Sequence, residues 1–178
     1  MRGEIFVITG PPGAGKTTLC EALLRRFEFG FHLPVDDLRL WVKQGLSESV
    51  PWTEETERQF QIAEAATADV AKCYSEAGFT VAIDHCRNIP RLDALIAEHL
   101  SGFRVVRVCL LPDLTTNLER NRARTNKPFD PEILTETIQF VSGAYEAADR
   151  SQWLTVDNRL LSVEETVQQI VNYASGKE

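Results

Sequence analysis

The stretch that decides the fold is Glu4–Thr18, "EIFVITGPPGAGKTT". Within its first six residues, Ile5–Ile8 form a continuous apolar run rich in β-branched side chains, the signature of a strand covered on both faces. Gly10–Thr17 then satisfies the pattern G-x-x-x-x-G-K-[ST], and residues 16–27, "KTTLCEALLRRF", read as a helix. Each residue type in this loop has a chemical reason. Glycines at 10, 13 and 15 let backbone N–H groups turn inward on an oxyanion with no Cβ in the way. The helix that starts at Lys16 adds the positive end of its dipole. The Lys16 ammonium reaches terminal phosphates and the Thr17 hydroxyl is a ligand for Mg²⁺. Gly10, Pro11, Pro12, Gly13, Ala14, Gly15, Lys16, Thr17 and Thr18 are therefore the expected nucleotide cradle.

Beyond the loop, the chain reads as alternating strand and helix. Strands are expected at 31–35, 79–84, 103–111 and 153–157. Helices are expected at 36–45, 53–77, 89–100, 112–124, 131–149 and 162–174. Asp36 is placed to cap the second helix and Gly45 to end it. In the long helix from Thr53, the residues Phe60, Ala63, Ala66, Val70, Cys73 and Tyr74 mark the expected buried face. Tyr145, Phe140 and Trp153 are further core candidates, and Ser162 with Glu165 has capping-box spacing. Strand–helix alternation with short connections implies a parallel α/β sheet covered on both faces. The 178 residues suit one domain, with no repeat or linker to divide them.

Composition narrows the function. The net charge is −7 and the pI about 5.1, which argues against broad nucleic-acid binding while leaving room for a local basic patch. Cys20, Cys73, Cys86 and Cys109 form no C-x-x-C pair and read as buried thiols in a reducing compartment. No apolar run is long enough to span a bilayer, so a cytoplasmic, membrane-free protein is expected.

Three uses of a nucleotide compete. A guanine reader needs N-K-x-D, but Asn126-Lys127-Pro128-Phe129 carries Phe where Asp is required. A switch or motor ATPase needs an acidic residue after a strand. Asp84, at the carboxyl end of "FTVAID", fits that position; it also fits a plain helix cap. A kinase must in addition activate a hydroxyl and neutralise charge on the moving phosphoryl group. "HLPVDDLR" at 32–39 supplies Asp36 and Asp37 at a strand end, with Arg39 one helical turn on. "LERNRARTNK" at 118–127 supplies Arg120 and Arg124 four apart, within a stretch (113–127) of local charge +2, as a closing lid requires. Trp41 and Trp52 flank the loop where an acceptor would sit. Arg39, Arg87 and Arg91 are candidates to line a small basic mouth. His32 and His99 read as incidental.

Together, the loop, the D-D-x-R of Asp36, Asp37 and Arg39, the strand-ending Asp84 and the Arg120/Arg124 pair resemble the P-loop kinase superfamily. The resemblance is to the branch of polynucleotide 5′-kinases, gluconate-kinase-like proteins, chloramphenicol phosphotransferase and zeta-toxin-like kinases. It implies a P-loop NTPase fold with a five-stranded parallel sheet of order 2-3-1-4-5 flanked by helices and a helical lid at about 114–130. It implies ATP and Mg²⁺, and in-line transfer to a hydroxyl. Asp36 would be the base, Lys16, Arg120 and Arg124 the phosphoryl clamps, and Arg39 the acceptor-side partner. Asp37, Asp84 and Arg87 would bind the acceptor. A small-molecule acceptor is the first expectation. A polynucleotide 5′-hydroxyl and a regulatory ATPase without acceptor are the alternatives.

Overall fold

The structure, a computed structural model, describes residues 2–123 and 134–176. Five strands, β1 (Ile5–Thr9), β2 (Gly30–Pro34), β3 (Thr80–Asp84), β4 (Val105–Leu110) and β5 (Leu154–Val156), form one sheet. All pairings are parallel, and the order is β2-β3-β1-β4-β5, as the resemblance implied. Seven helices connect them among the described residues: α1 (Lys16–Leu24), α2 (Val35–Arg39), α3 (Glu54–Glu76), α4 (Ile89–His99), α5 (Leu114–Arg122), α6 (Thr135–Ala147) and α7 (Val163–Ala174).

Period-two alternation of the strands builds two cores. Ile5, Val7, Val81 and Ile83 face one side, packing with Ala63 and Ala71 of α3, Leu92 and Ile96 of α4, and Tyr145 of α6. Phe6, Ile8, Ala82, Val106 and Val108 face the other, with Leu19 and Leu23 of α1 and Val167 and Ile170 of α7. Every β1 residue is buried, which is why its sequence shows no alternation of polarity.

Helix starts follow side-chain chemistry. Thr53 and Thr56 form a reciprocal capping box on α3, and Ser162 with Glu165 does the same on α7. Asn88 caps α4 and Asp113 caps α5.

Four expectations need correction. The second helix stops at Arg39, not at Gly45, and Asp36 lies in its first turn instead of capping it. The continuation had no core to pack against: Leu40 is 53% and Trp41 70% exposed. Helices this short need tertiary packing to persist. The buried face of α3 includes Thr56, Gln59, Glu64 and Thr67 in place of Ala66 and Cys73, which are exposed. Phe140 is 79% exposed, whereas Tyr145 and Trp153 are buried as expected. Of the four thiols, only Cys20 and Cys109 are buried; Cys86 is half-buried and Cys73 exposed. Among the described residues no helix is long and apolar enough to cross a membrane.

Candidate active site

A fully parallel sheet brings all its strand carboxyl ends to one edge, where open α/β sheets bind ligands. The phosphate loop follows β1, Asp36 and Asp37 follow β2, Asp84 ends β3, and Asn158 follows β5. The fold therefore gathers these distant stretches on one rim.

The loop is held open by its backbone. Gly15 stands at the N-terminus of α1 with φ +92°, and Gly13 has φ +89°. A Cβ at Gly13 would meet the Asn117 carbonyl oxygen at 2.6 Å, so only glycine fits between loop and α5. The Lys16 ammonium donates to the carbonyls of Gly10 (3.0 Å) and Pro11 (3.2 Å). It is thus folded over the loop from which phosphate oxygens would draw it.

Thr17 donates its hydroxyl to Asp84 Oδ2 at 2.6 Å. Asp84 is 7% exposed, and His32 Nε2 faces the same oxygen at 3.7 Å. Burial by itself would raise the Asp84 pKa. The facing His32 imidazole, the Lys16 charge and the Thr17 hydroxyl outweigh it and hold the carboxyl below its ordinary value. The helix-cap reading of Asp84 falls away, since Asn88 caps α4. A hydroxyl and an ionised carboxylate side by side under a phosphate loop are the hard oxygen donors that suit Mg²⁺.

Beside the loop lies a cavity of about 380 Å³, lined by Gly13, Lys16, Thr18, Arg120, Asn158 and Leu161, among others. Asn158 ties it together. Its amide donates to the Ala14 carbonyl at 3.0 Å, while its own oxygens accept from Arg120 at 3.2 and 3.0 Å. Arg120 is therefore anchored at the nucleotide side. Arg124, its expected partner, lies outside the described residues, as does the expected lid beyond residue 123.

On the opposite side, Asp36 and Asp37 are exposed in the first turn of α2. Arg39 is 7% exposed and turned inward. It donates to Ser49 Oγ at 2.8 Å and to the Ser47 carbonyl, and stacks over Phe60 at 4.2 Å. Burial lowers its pKa despite the nearby Asp36 and Glu48 charges. A second hollow of about 470 Å³ lies between α2 and α3, lined by Arg39, Arg58, Gln59 and Ile62 among others. Trp52 stacks on Phe60 at 4.9 Å, whereas Trp41 stands free of the core.

Arg87 and Arg91 are not free cations. Arg87 is 9% exposed and pairs with Glu64 (2.8 Å) and Glu57. Arg91 pairs with Glu64 at 2.8 Å and Glu98 at 3.5 Å. Burial would lower the Arg87 pKa, but the two glutamates raise it. Glu64, fully buried, also faces His85 Nε2 at 3.0 Å. Burial pushes its pKa up, and His85, Arg87 and Arg91 together bring it down to about 2. This network holds the backbone after β3. Tyr145 holds it from the other side: its hydroxyl donates to the Arg87 carbonyl at 2.6 Å, accepts from the Arg87 N–H at 3.1 Å and meets Thr9 Oγ1 at 2.5 Å.

Asn158 and Glu64 were not singled out from sequence, and Tyr145 was read there only as core and His32 as incidental. Asn158 had a usable signal, since it follows the last strand at the ligand edge. Glu64 had none, because its partners lie on another element more than twenty residues away.

The profile of the AAA domain family matches residues 6–139. No curated protein matches the chain significantly. Solved structures are similar over nearly the whole length. The Deinococcus radiodurans tunicamycin resistance protein has TM-score 0.70 at 16% identity, over 99% of this chain and 98% of that one. Shikimate kinase from Acinetobacter baumannii in complex with shikimate has TM-score 0.68 at 20% identity, over 98% and 94%. A gluconokinase from Sinorhizobium meliloti 1021 has TM-score 0.71 at 20% identity, over 98% and 93%. The profile match spans most of the chain, from β1 into α6, and these neighbours share its overall fold. The chain thus belongs to the AAA domain family and has the fold of the P-loop kinases.

Proposed function

We propose that the protein is an ATP-dependent kinase that transfers the γ-phosphate to a hydroxyl of a small-molecule acceptor. One observation carries this reading. The parallel sheet, in which β3 lies between β2 and β1, brings the phosphate loop after β1, Asp84 at the end of β3 and the exposed Asp36 after β2 to one rim. A protein that only bound nucleotide would need no base there. The net charge of −7 favours a small acceptor over a polynucleotide.

In this reading Gly10–Thr18 cradles the phosphates, and Lys16 leaves the Gly10 and Pro11 carbonyls to bind them. Thr17, with Asp84 beside it, would hold Mg²⁺, which neutralises phosphate charge when bound. Asn158 and Arg120 border the nucleotide cavity, and Arg120 with Arg124 clamps the moving phosphoryl group. Asp36, exposed at the end of β2, accepts the proton of the attacking hydroxyl; Asp37, next to it, binds the acceptor. Arg39, buried without a carboxylate partner among the described residues, orients the acceptor. Arg87 completes that side while stacked over Trp52 at 5.0 Å.

The test compares Asp36→Asn and Asp37→Asn for ATP binding and for phosphate transfer. Asp36→Asn is expected to bind ATP normally and lose about 10²–10⁴-fold in transfer, the usual worth of a general base. Asp37→Asn is expected to retain most of the rate. Full transfer by Asp36→Asn would remove the assignment.

A further inference from the structure

One cluster lies just below the phosphate loop, and two of its three side chains, Cys20 and His32, play no part in the reading above. Three side chains from three elements converge there: Cys20 on α1, His32 on β2 and Asp84 at the end of β3. The Cys20 Sγ, a His32 ring nitrogen and an Asp84 oxygen all lie within 4.8 Å of one another. Cys20 is 0% and Asp84 7% exposed, and His32 is largely covered. His32 Nε2 is buried with no hydrogen-bond partner among the described residues. A buried ring nitrogen left without a partner is costly, and its position asks for a group between it and the carboxylate.

We propose that Cys20, His32 and Asp84 form a binding site for a thiophilic divalent cation of the zinc class. The spacing fits. An ion bonded at about 2.0–2.3 Å to tetrahedral ligands holds them roughly 3.3–3.8 Å apart. His32 Nε2 and Asp84 Oδ2 are already 3.7 Å apart. The ligand set fits as well: sulfur and imidazole select Zn²⁺ or Co²⁺ and are poor ligands for Mg²⁺. So does the charge. Binding replaces the thiol proton of Cys20 with the metal bond and releases one proton to solvent. The thiolate and the Asp84 carboxylate then balance the 2+ ion, so a buried cluster becomes neutral. Three protein ligands leave the fourth tetrahedral position for water. Because Asp84 also accepts from Thr17, the ion would be coupled to the phosphate loop through one carboxylate. None of this depends on the chain being a kinase.

The test is a Co²⁺ titration of the full chain, reduced and stripped with chelator, in excess Mg²⁺. One Co²⁺ per chain is expected, with a thiolate-to-cobalt charge-transfer band, and Zn²⁺ should bleach it. Cys20→Ser should lose the band. His32→Gln should weaken binding about tenfold or more, while Cys73→Ser, changed at an exposed thiol, should leave it intact. The wild-type spectrum and His32→Gln decide the matter even if Cys20→Ser does not fold. Absence of the band in the wild type, its survival in Cys20→Ser, or unchanged affinity in His32→Gln would each overturn the site.

Discussion

Replacing Glu64 by glutamine probes the buried network that fixes the strand end next to the phosphate loop. Glu64 is fully buried and takes Arg87 Nε and Arg91 Nε at 2.8 Å each, with His85 Nε2 at 3.0 Å. Glutamine keeps the shape but removes the charge, and Arg87, 9% exposed, is left with Glu57 alone. Breaking one side of a buried ion pair costs about 3–5 kcal/mol. The titration of Glu64 gives an independent figure. Its pKa falls from an unfolded value near 4.3 to about 2. At about 1.4 kcal/mol per unit that contributes roughly 3 kcal/mol. In a chain of this size the loss lowers Tm by about 6–12 °C. The sign sets the pH window. A depressed folded pKa stabilises above the unfolded value, and the gain disappears as pH falls through the folded one. The gap between wild type and Glu64→Gln is therefore full above about pH 5, about half near pH 3 and closed below about pH 2. Urea unfolding of both proteins at pH 7 and pH 3 reads it. Equal stability at pH 7, or a gap that does not shrink at pH 3, would refute the reasoning.

Other perturbations have equally definite outcomes. Tyr145→Phe strips the hydroxyl that serves Arg87 N–H, Arg87 C=O and Thr9, and should cost about 1–3 kcal/mol in denaturant unfolding with little change in fold. Asn158→Ala removes the tie between Ala14 and Arg120 and should weaken ATP binding about tenfold by calorimetry, with stability nearly unchanged. Gly13→Ala forces a Cβ to 2.6 Å from the Asn117 carbonyl at φ +89°. It should abolish nucleotide binding and lower Tm measurably.

The strands, their parallel sheet and the phosphate loop were legible because their signals are local or period-bound, whereas the strand order came from the family resemblance. β1 and its loop are contiguous, and α3, α4, α5 and α7 each start on their own capping residue. What was not legible depends on partners distant in sequence. Glu64, one of several charged residues on α3, looks like a surface residue until His85, Arg87 and Arg91 fold onto it. His32 looks incidental until β2 pairs with β3 and sets it against Asp84. The helix after β2 looked longer because Leu40, Trp41 and Val42 continue the pattern, yet no core surface faces them. Asp36 was readable as a strand-end carboxylate, but its place in the first turn of α2, instead of at the cap, came from the structure.

The central claim is that phosphate leaves ATP for an acceptor. The protein is incubated with γ-labelled ATP and Mg²⁺, alone and with separate pools of sugars, nucleosides, antibiotics and 5′-hydroxyl oligonucleotides, with Lys16→Ala as the control. Label passing to one small-molecule pool, and lost in Lys16→Ala, is the result expected. Label appearing only as free phosphate, unchanged by every pool, would contradict the kinase reading and leave a nucleotide hydrolase with an idle carboxylate at Asp36.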